Sequence, residues 1–436
     1  MSGSARRVAT AARRCALRVL LDVDRGGPIL ADRLAGDDVE SLPAPDRALL
    51  HELVLGTLRR RGALDFACVR LVDQPFPQLE ATVRAILRLG AYQLLHTRVP
   101  PRAAVSQSVE LAREESPRAT GLVNAVLRRL TREGSPPFPD PQLDPLRWLT
   151  TAGSLPRWLA ERWLGRWGPG PAVARARAFL DPPRVAFRLN PRVPDAGERV
   201  RAEGLDPRAL TVPGAWTAAG RPRSAAVKGA VYLHDQGSQM AAHLAARPGV
   251  VLDACAAPGG KATLIADLLG DSARVLAAEA SPSRLCRMAE LVAHWKSDRV
   301  WLLGADARRP PFRGGFDSVL LDAPCTGLGT IGRHPDIRWR TRPRDVVRQA
   351  RRQRELLESV ATLVRPGGRL VYAVCSGEPE EGEDVVRGFL ASHVQFALAA
   401  LPGWAAPFGE GGFACTRPER DGGDLFFAAV MARGGP

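Results

Sequence analysis

Lysine is nearly missing from this 436-residue chain: Lys228, Lys261 and Lys296 are all it has, although lysine and arginine together number 61 against 46 acidic residues. The formal net charge of +15 is therefore arginine charge, and a planar guanidinium fork suits phosphate oxygens. A polyanionic partner such as nucleic acid is the simplest reading, although a composition rich in Ala, Gly, Pro and Arg accounts for part of the excess. The seven cysteines include no C-x-x-C pair, and the seven histidines show no ligand spacing. These shortages exclude a zinc ribbon and a secreted disulfide framework, and they point to a reducing, cytoplasmic setting with no metal. No apolar run approaches the roughly 18 residues of a membrane span. The basic, acid-poor opening MSGSARRVATAARRCALRVLLDV has a transit-peptide composition. A short tail leading into a first helix is the preferred reading; Arg18 interrupts the apolar run and no small-residue cleavage site follows, which argues against a secretory signal. What remains is globular: 45% hydrophobic and 25% charged residues, in a length that holds two or three domains.

From about residue 11 to 130 the apolar spacing is helical throughout. Leu50, Leu53, Val54 and Leu58 share a face after the plausible N-cap Asp46. Val83, Ile86, Leu87, Ala91, Leu94 and Leu95 form another, closed by Pro100 and Pro101, and further helices are expected over 104–115 and 121–131. The stripes are core packing in an all-α unit of 1–135; Arg128, Arg129 and Arg132 are either RNA contacts or solvated charges. A proline-dense linker of 136–155 follows. In the next segment, 156–230, Arg157, Arg162, Arg166, Arg175, Arg177, Arg184, Arg188 and Arg192 interleave with Trp158, Trp163 and Trp167. This is either a basic groove with stacking rings for single-stranded RNA or a helix whose tryptophans face the core. From 231 to 436 strand and helix alternate, with strands expected at 250–254, 274–279, 300–304, 318–322, 369–374 and 424–431 and a long helix over 344–364. That succession predicts a mostly parallel sheet binding ligands at the carboxyl ends of its strands.

VLDACAAPGGK, 251–261, is the stretch around which the sheet is organised. A strand ends at Asp253, then Cys255, Ala256, Ala257, Pro258, Gly259 and Gly260 turn the chain, and Lys261 opens a helix. Such a turn brings backbone N–H groups close to a ligand. The adjacent glycines are not the G-x-G-x-x-G dinucleotide pattern. Later strand ends supply carboxylates to the same crevice. Glu279, about 20 residues past the glycines, is placed for ribose hydroxyls; Asp306 is placed for an adenine amino group, and Asp322 follows in LLDAPCTGLGT. Two cysteines, Cys325 in DAPCTG and Cys375 in VYAVCSGEPEE, fall at strand ends as well, whereas Cys15, Cys68, Cys286 and Cys415 read as small core hydrophobes.

Two resemblances cover nearly the whole chain. ALLHELVLGTLRR, LRLGAYQLLHTRVPPRAAVSQSVELA and GLVNAVLRRL resemble the NusB-like helical domain, a family that binds RNA and protein partners in transcription antitermination. DACAAPGGK, DAPCTGLGT, GRHPDIRW, YAVCS and PEEGE, with HDQGSQMAA ahead of them, resemble the motif set of the S-adenosylmethionine-dependent RNA 5-methylcytosine methyltransferases. Together they are similar to the RsmB (Sun, Fmu) family, which methylates a cytosine of small-subunit ribosomal RNA. Val374 stands where a threonine is usual and Gly382 where an asparagine is common. The implied fold class is α/β: a Rossmann-like S-adenosylmethionine methyltransferase sheet (231–436), preceded by the NusB-like domain and a small α/β RNA-binding segment.

The resemblance implies S-adenosyl-L-methionine as cofactor, held by residues 255–261 with Glu279, Asp306 and Asp322. It implies Cys375 as nucleophile, Asp322 on the cytosine, and Cys325 in product release. The expected partner is 16S ribosomal RNA before or during small-subunit assembly; a monomer is expected, and no membrane. Carbon 5 of cytosine is a poor nucleophile, and a thiolate adding at carbon 6 converts the ring into an enamine, which agrees with covalent catalysis by a cysteine. A ribosome-assembly factor with a non-catalytic methyltransferase fold, or the same chemistry on tRNA, are the alternatives.

Overall fold

The computed structural model describes residues 8–27, 29–222 and 227–435. It divides into two compact units, Met1–Pro182 with Ile331–Thr341, and Pro183–Thr330 with Arg342–Pro436. The tail read over residues 1–7 lies outside the described residues. Among the described residues no helix is long and apolar enough to cross a membrane.

The first unit is helical. Its longer helices are α1 (Ala11–Asp24), α2 (Ala44–Arg59), α3 (Arg61–Val69), α4 (Ala81–His96), α5 (Pro101–Glu115), α6 (Thr120–Glu133), α7 (Arg157–Trp167) and α8 (Pro169–Ala178). Pro100 and Pro101 do not merely end α4: Pro101 is the first residue of α5, where its missing N–H costs nothing. Asp46 sits inside the first turn of α2, complementing the helix dipole instead of capping it. Leu17, Leu50, Leu53, Ile86, Leu87, Val123 and Leu127, from the predicted stripes and α1, meet in one core.

One expectation is corrected here, and one open alternative is decided. The segment 136–155 is not an unstructured linker throughout, because Pro145–Thr150 is helical with Asp144 accepting from the Arg147 N–H at 3.0 Å. Nor do the tryptophans form a stacking groove. Trp163 is buried against Phe179, and the guanidinium of Arg175, itself 2% exposed, lies 3.7 Å from the centroid of Trp167. Helices α7 and α8 thus turn Trp163 and Arg175 inward while Arg157, Arg166 and Arg177 stay exposed.

Residues 331–341, within the GRHPDIRW motif and its flank, belong to this helical unit and not to the sheet that the sequence reading assigned to 231–436. Arg338 is fully buried there, donating to the backbone carbonyls of Ile331 (3.0 Å), Ser154 (3.2 Å) and Phe179 (3.3 Å). Burial lowers its pKa to about 9. Trp339 Nε1 donates to the Leu58 carbonyl at 2.7 Å, which fixes the segment to the end of α2.

The second unit is α/β. A small antiparallel sheet in the order β2-β3-β1-β4 comprises β1 (Ala186–Leu189), β2 (Arg208–Ala209), β3 (Ala215–Thr217) and β4 (Val231–Leu233). Its Arg188 is again a core residue, donating to Asp267 (2.5 Å) and Thr263 (2.6 Å) beneath the Trp295 ring. After α9 (Gln236–Ala245) come β5 (Gly249–Asp253), α10 (Gly260–Leu269), β6 (Ala273–Glu279), α11 (Pro282–Trp295), β7 (Val300–Gly304), β8 (Phe316–Asp322), α12 (Pro343–Ala361), β9 (Val364–Val374) and α13 (Glu383–Ser392). The chain ends with β10 (Phe396–Leu398), β11 (Gly409–Glu410), β12 (Phe413–Cys415) and β13 (Phe427–Arg433). These build a nine-stranded sheet, β11-β12-β13-β9-β8-β5-β6-β7, with β10 beside β13.

Strands β9, β8, β5, β6 and β7 run parallel and β13 is antiparallel to β9. Val251, Leu252, Val275, Val319, Leu320, Leu370 and Val371 are buried, as near-continuous apolar strands covered on both faces should be. The expected helix over 344–364 stops at Ala361. The register shifts between Phe316 and Ser318, across from the Pro366-Gly367-Gly368 part of β9. Because β6 and β7 lie on one side of β5 and β8 and β9 on the other, the connections diverge at β5. The crevice beyond its carboxyl end is where an open α/β sheet accepts a ligand.

Candidate active site

The turn after β5 is shaped by Gly259, which caps α10 with φ +106° and leaves a side chain no room, since a Cβ there would lie 2.9 Å from Met288 Cγ. The first turn of α10 therefore brings Lys261 inward. Its ammonium pairs with Asp322, at the end of β8, at 2.6 Å, and stands 5.7 Å from the Phe426 ring centroid. Burial alone would lower the lysine pKa, but Asp322, Asp253 and Cys375 outweigh it and hold it above its ordinary value. The same burial acts oppositely on Asp253, whose carboxyl is raised to about 7 against the pull of Lys261.

Beyond Asp322, the DAPC loop turns back so that Cys325 meets Cys375, the residue that follows β9. Their Sγ atoms are 3.3 Å apart. The hydrogen bond with Cys375, then burial, then the nearby charges of Cys375 and Glu381 push the Cys325 thiol well above its usual range. The two loops are stitched by backbone bonds: Gly329 N–H donates to the Cys375 carbonyl (3.0 Å), and Leu425 N–H donates to the Gly329 carbonyl (2.8 Å). A Cβ on Gly329 would fall 2.2 Å from the Leu425 oxygen and 2.9 Å from that of Cys375. Gly329→Ala should therefore lower stability by about 1–3 kcal/mol, an overpacking cost, and slow the reaction through displaced thiols. Thermal melts read beside turnover check this; an unchanged melt and rate would show that the backbone yields freely.

A crevice of about 280 Å³ opens over these groups. Of the predicted residues, Cys255, Ala257, Glu279, Asp306, Asp322, Cys325 and Cys375 line it. Ala256 is buried, and Pro258, Gly259, Gly260 and Lys261 frame the turn without being lining residues. The donor set fits S-adenosylmethionine. Glu279, its Oε1 fixed by the Ser281 N–H at 2.9 Å, ends β6 where a ribose diol can bridge its carboxylate. Asp306, just past β7, is steadied by Arg308 at 2.7 Å, and Ala305, Ala307 and Leu356 give apolar walls for a base. The Cys255 thiol is raised to about 12, first by burial and then by the surrounding carboxylates, which leaves it inert.

Three site residues escaped the sequence reading. Arg284, on α11, donates to the Ala257 carbonyl (3.2 Å) and lies 3.3 Å from Glu279. Arg352, on α12, lines the crevice. Glu381 accepts from both cysteine loops. The arginines sit on helices among many others and nothing local marks them, whereas Glu381 lies in the PEEGE motif, which was quoted without a role for that residue. Among the described residues no group of three or more His, Cys, Asp and Glu is placed to hold a metal ion.

Family matches cover parts of both units. The family model of the 16S rRNA methyltransferase RsmB/F matches residues 242–432, and that of the NusB family matches 10–132. Ribosomal RNA small subunit methyltransferase B of Thermus thermophilus is 38% identical, over 88% of this chain and 88% of its own. The Pseudomonas putida protein of the same name is 34% identical, over 87% and 88%. A methyltransferase homologue from Pyrococcus horikoshii, solved as a crystal structure, aligns at TM-score 0.57 and 26% identity over 68% of this chain and all of its own.

Proposed function

The chain belongs to the RsmB/F family of 16S rRNA methyltransferases, and from that membership we propose that it methylates carbon 5 of a cytosine in 16S ribosomal RNA through a covalent bond between Cys375 and carbon 6. The observation that carries this reading is the pair of thiols 3.3 Å apart beside the Lys261–Asp322 ion pair. An enzyme that alkylated an oxygen or an exocyclic nitrogen would have no use for two adjacent cysteines.

When bound, S-adenosylmethionine supplies an electrophilic methyl group on sulfur. The side chains do the rest. Lys261, close enough to interact with Cys375, places a positive charge beside the sulfur. The thiolate adds to carbon 6, and the electrons displaced from the 5,6 double bond pass toward N3, leaving carbon 5 nucleophilic. N3 takes up a proton as the adduct forms, delivered through the Lys261–Asp322 pair, and Asp322 then accepts from N3–H and from the cytosine amino group. After methylation a solvent base takes the proton from carbon 5, that electron pair re-forms the 5,6 double bond as sulfur leaves carbon 6 as the Cys375 thiolate, N3 gives back its proton, and the Cys325 S–H, 3.3 Å away, steadies the departing sulfur. The base must be unstacked for sulfur to reach it, which favours a loop or single strand, before or during subunit assembly. The proposed setting is a cytoplasmic monomer.

The test is incubation of the protein and labelled S-adenosylmethionine with unmodified 16S rRNA, 23S rRNA and tRNA, followed by nucleoside mass spectrometry. Labelled 5-methylcytidine in 16S rRNA alone is expected. A 2′-O-methyl or N-methyl product would overturn the chemistry, label in tRNA would overturn the substrate, and no transfer at all would favour an assembly factor without catalysis.

The helical unit offers RNA a groove of about 680 Å³ between α5 and α6, lined by Arg102, Arg128, Arg132, Ser106, Asn124 and Thr131. It fits the phosphate backbone. The double variant Arg128→Ala, Arg132→Ala should weaken binding to a 16S fragment about evenly across sequences and reduce the salt slope by about 1–2, one counterion-release contact per arginine. An unchanged salt slope would place the RNA elsewhere on the unit.

A further inference from the structure

We propose that Glu381 is a positioning residue of the methyl-transfer reaction, its one carboxylate tying the loop of Cys325 to the loop of Cys375 and so setting the separation of the two thiols. The inference rests on the reading of these cysteines as the reacting pair. Glu381 is fully buried in the turn ahead of α13, and its backbone carbonyl accepts from the Tyr372 hydroxyl at 2.5 Å. Its Oε1 accepts from the backbone N–H of Thr326 (2.8 Å) and from the Gln353 amide of α12 (3.2 Å). Its Oε2 accepts from the hydroxyls of Thr326 and Ser376, both at 2.5 Å.

Thr326 follows Cys325, and Ser376 follows Cys375. The carboxylate therefore bonds to the residue immediately after each thiol, and to Gln353, which also donates to the carbonyl of Pro324 on the other side of Cys325 (3.0 Å). A buried carboxylate is a costly cross-brace where an apolar contact would fold as well. Its presence between two reactive loops marks a geometric requirement. A second effect follows from the same placement: the negative charge stands close enough to Cys325 to disfavour its thiolate. Cys325 then remains a proton-bearing thiol beside a Cys375 that must ionise, so the two cysteines are differentiated by what surrounds them.

The two oxygens differ in a way that makes the test sharp. Oε1 faces groups that only donate, whereas Oε2 faces hydroxyls that can equally accept. A glutamine at this position can keep its oxygen on the first side and turn its NH₂ to the hydroxyls, preserving the brace and removing the charge. Glu381→Ala removes both.

The experiment compares Glu381→Ala, Glu381→Gln and wild type in steady-state methylation and, without RNA, in alkylation of Cys325 by iodoacetamide across pH, read by mass spectrometry. Glu381→Ala should lower kcat by about 100-fold, the scale of a reacting group misplaced by an ångström, with KM for S-adenosylmethionine within about twofold. Glu381→Gln should restore most of kcat and shift the pH midpoint of Cys325 alkylation downward. If Glu381→Ala does not fold, Thr326→Val and Ser376→Ala replace it, each removing one tie, with kcat expected about 5- to 10-fold down. Wild-type kcat in Glu381→Ala, or in both single-tie variants, overturns the positioning role. An unmoved alkylation midpoint in Glu381→Gln overturns the differentiation of the thiols. Activity surviving in Cys375→Ala would instead strike at the assignment of the reacting pair, which separates the two failures.

Discussion

Cys375→Ala should transfer methyl groups to RNA at least about 10⁴-fold more slowly than wild type, the scale of removing a nucleophile that works as part of a unit, and should form no covalent complex. Cys325→Ala should do the reverse with respect to the complex: methylate once, fail to let go, and accumulate protein–RNA adduct on denaturing gels. The asymmetry follows from the surroundings of two atoms only 3.3 Å apart. Cys375 shares its neighbourhood with the Lys261 ammonium, and Cys325 with the Glu381 carboxylate. The hydrogen bond with Cys375 and burial, with the Glu381 charge added to them, hold Cys325 in its protonated form, and the expected difference between the two variants follows from that. Adduct in Cys375→Ala but none in Cys325→Ala would exchange the roles. Adduct in neither, with methylation intact, would remove the covalent step altogether.

The crevice was legible in the sequence because the features that build it are local. Strand ends were marked by carboxylates: Asp253, Glu279 and Asp322 are the last residues of β5, β6 and β8. Parallel strands place their carboxyl ends on one edge, which put Glu279 and Asp322 at the crevice, whereas Asp253 is fully buried and does not line it. The helical stripes were legible for the same reason, since periodicity reports a face. What failed was reading partners across the chain. The arginines and tryptophans of 156–192 look like an RNA-binding run, and only the structure shows Arg175 stacked on Trp167 and Arg188 bonded to Asp267, 79 residues away. The GRHPDIRW segment was read with the methyltransferase domain because its motif resembles that family's, and the family model does span it. Its place in the helical unit depends on carbonyls of Ser154, Phe179 and Leu58 that no local pattern announces.

Asp253→Asn should make the α/β unit more stable near neutral pH and abolish part of its acid-side pH dependence. The carboxyl has an ordinary value of 3.8 and is raised to about 7 in the folded chain, chiefly by burial. Below the ordinary value both folded and unfolded chains hold the proton, and the protonated carboxyl contributes its full share of stability. Between the two values the unfolded chain has released its proton while the folded chain keeps it, so stability declines as pH rises and levels off only above the folded value. A shift of this size is worth roughly 4 kcal/mol over that window. Asparagine imitates the protonated form at every pH. The variant and wild type should therefore be close in urea midpoint near about pH 4 and diverge toward about pH 8, with the variant the more resistant. Parallel curves for the two proteins across that range would mean that Asp253 is already ionised when folded. Lys261 supplies an independent check, because it is the largest influence opposing burial at this carboxyl. In Lys261→Met the titration should move further up, steepening the loss of stability above neutral pH, and Asp253→Asn added to that background should recover more than it does alone. A larger recovery in the double variant would show that the lysine charge reaches Asp253 as well as Asp322, so that one ammonium serves two carboxyl groups, the buried one that ends β5 and the crevice-lining one that ends β8.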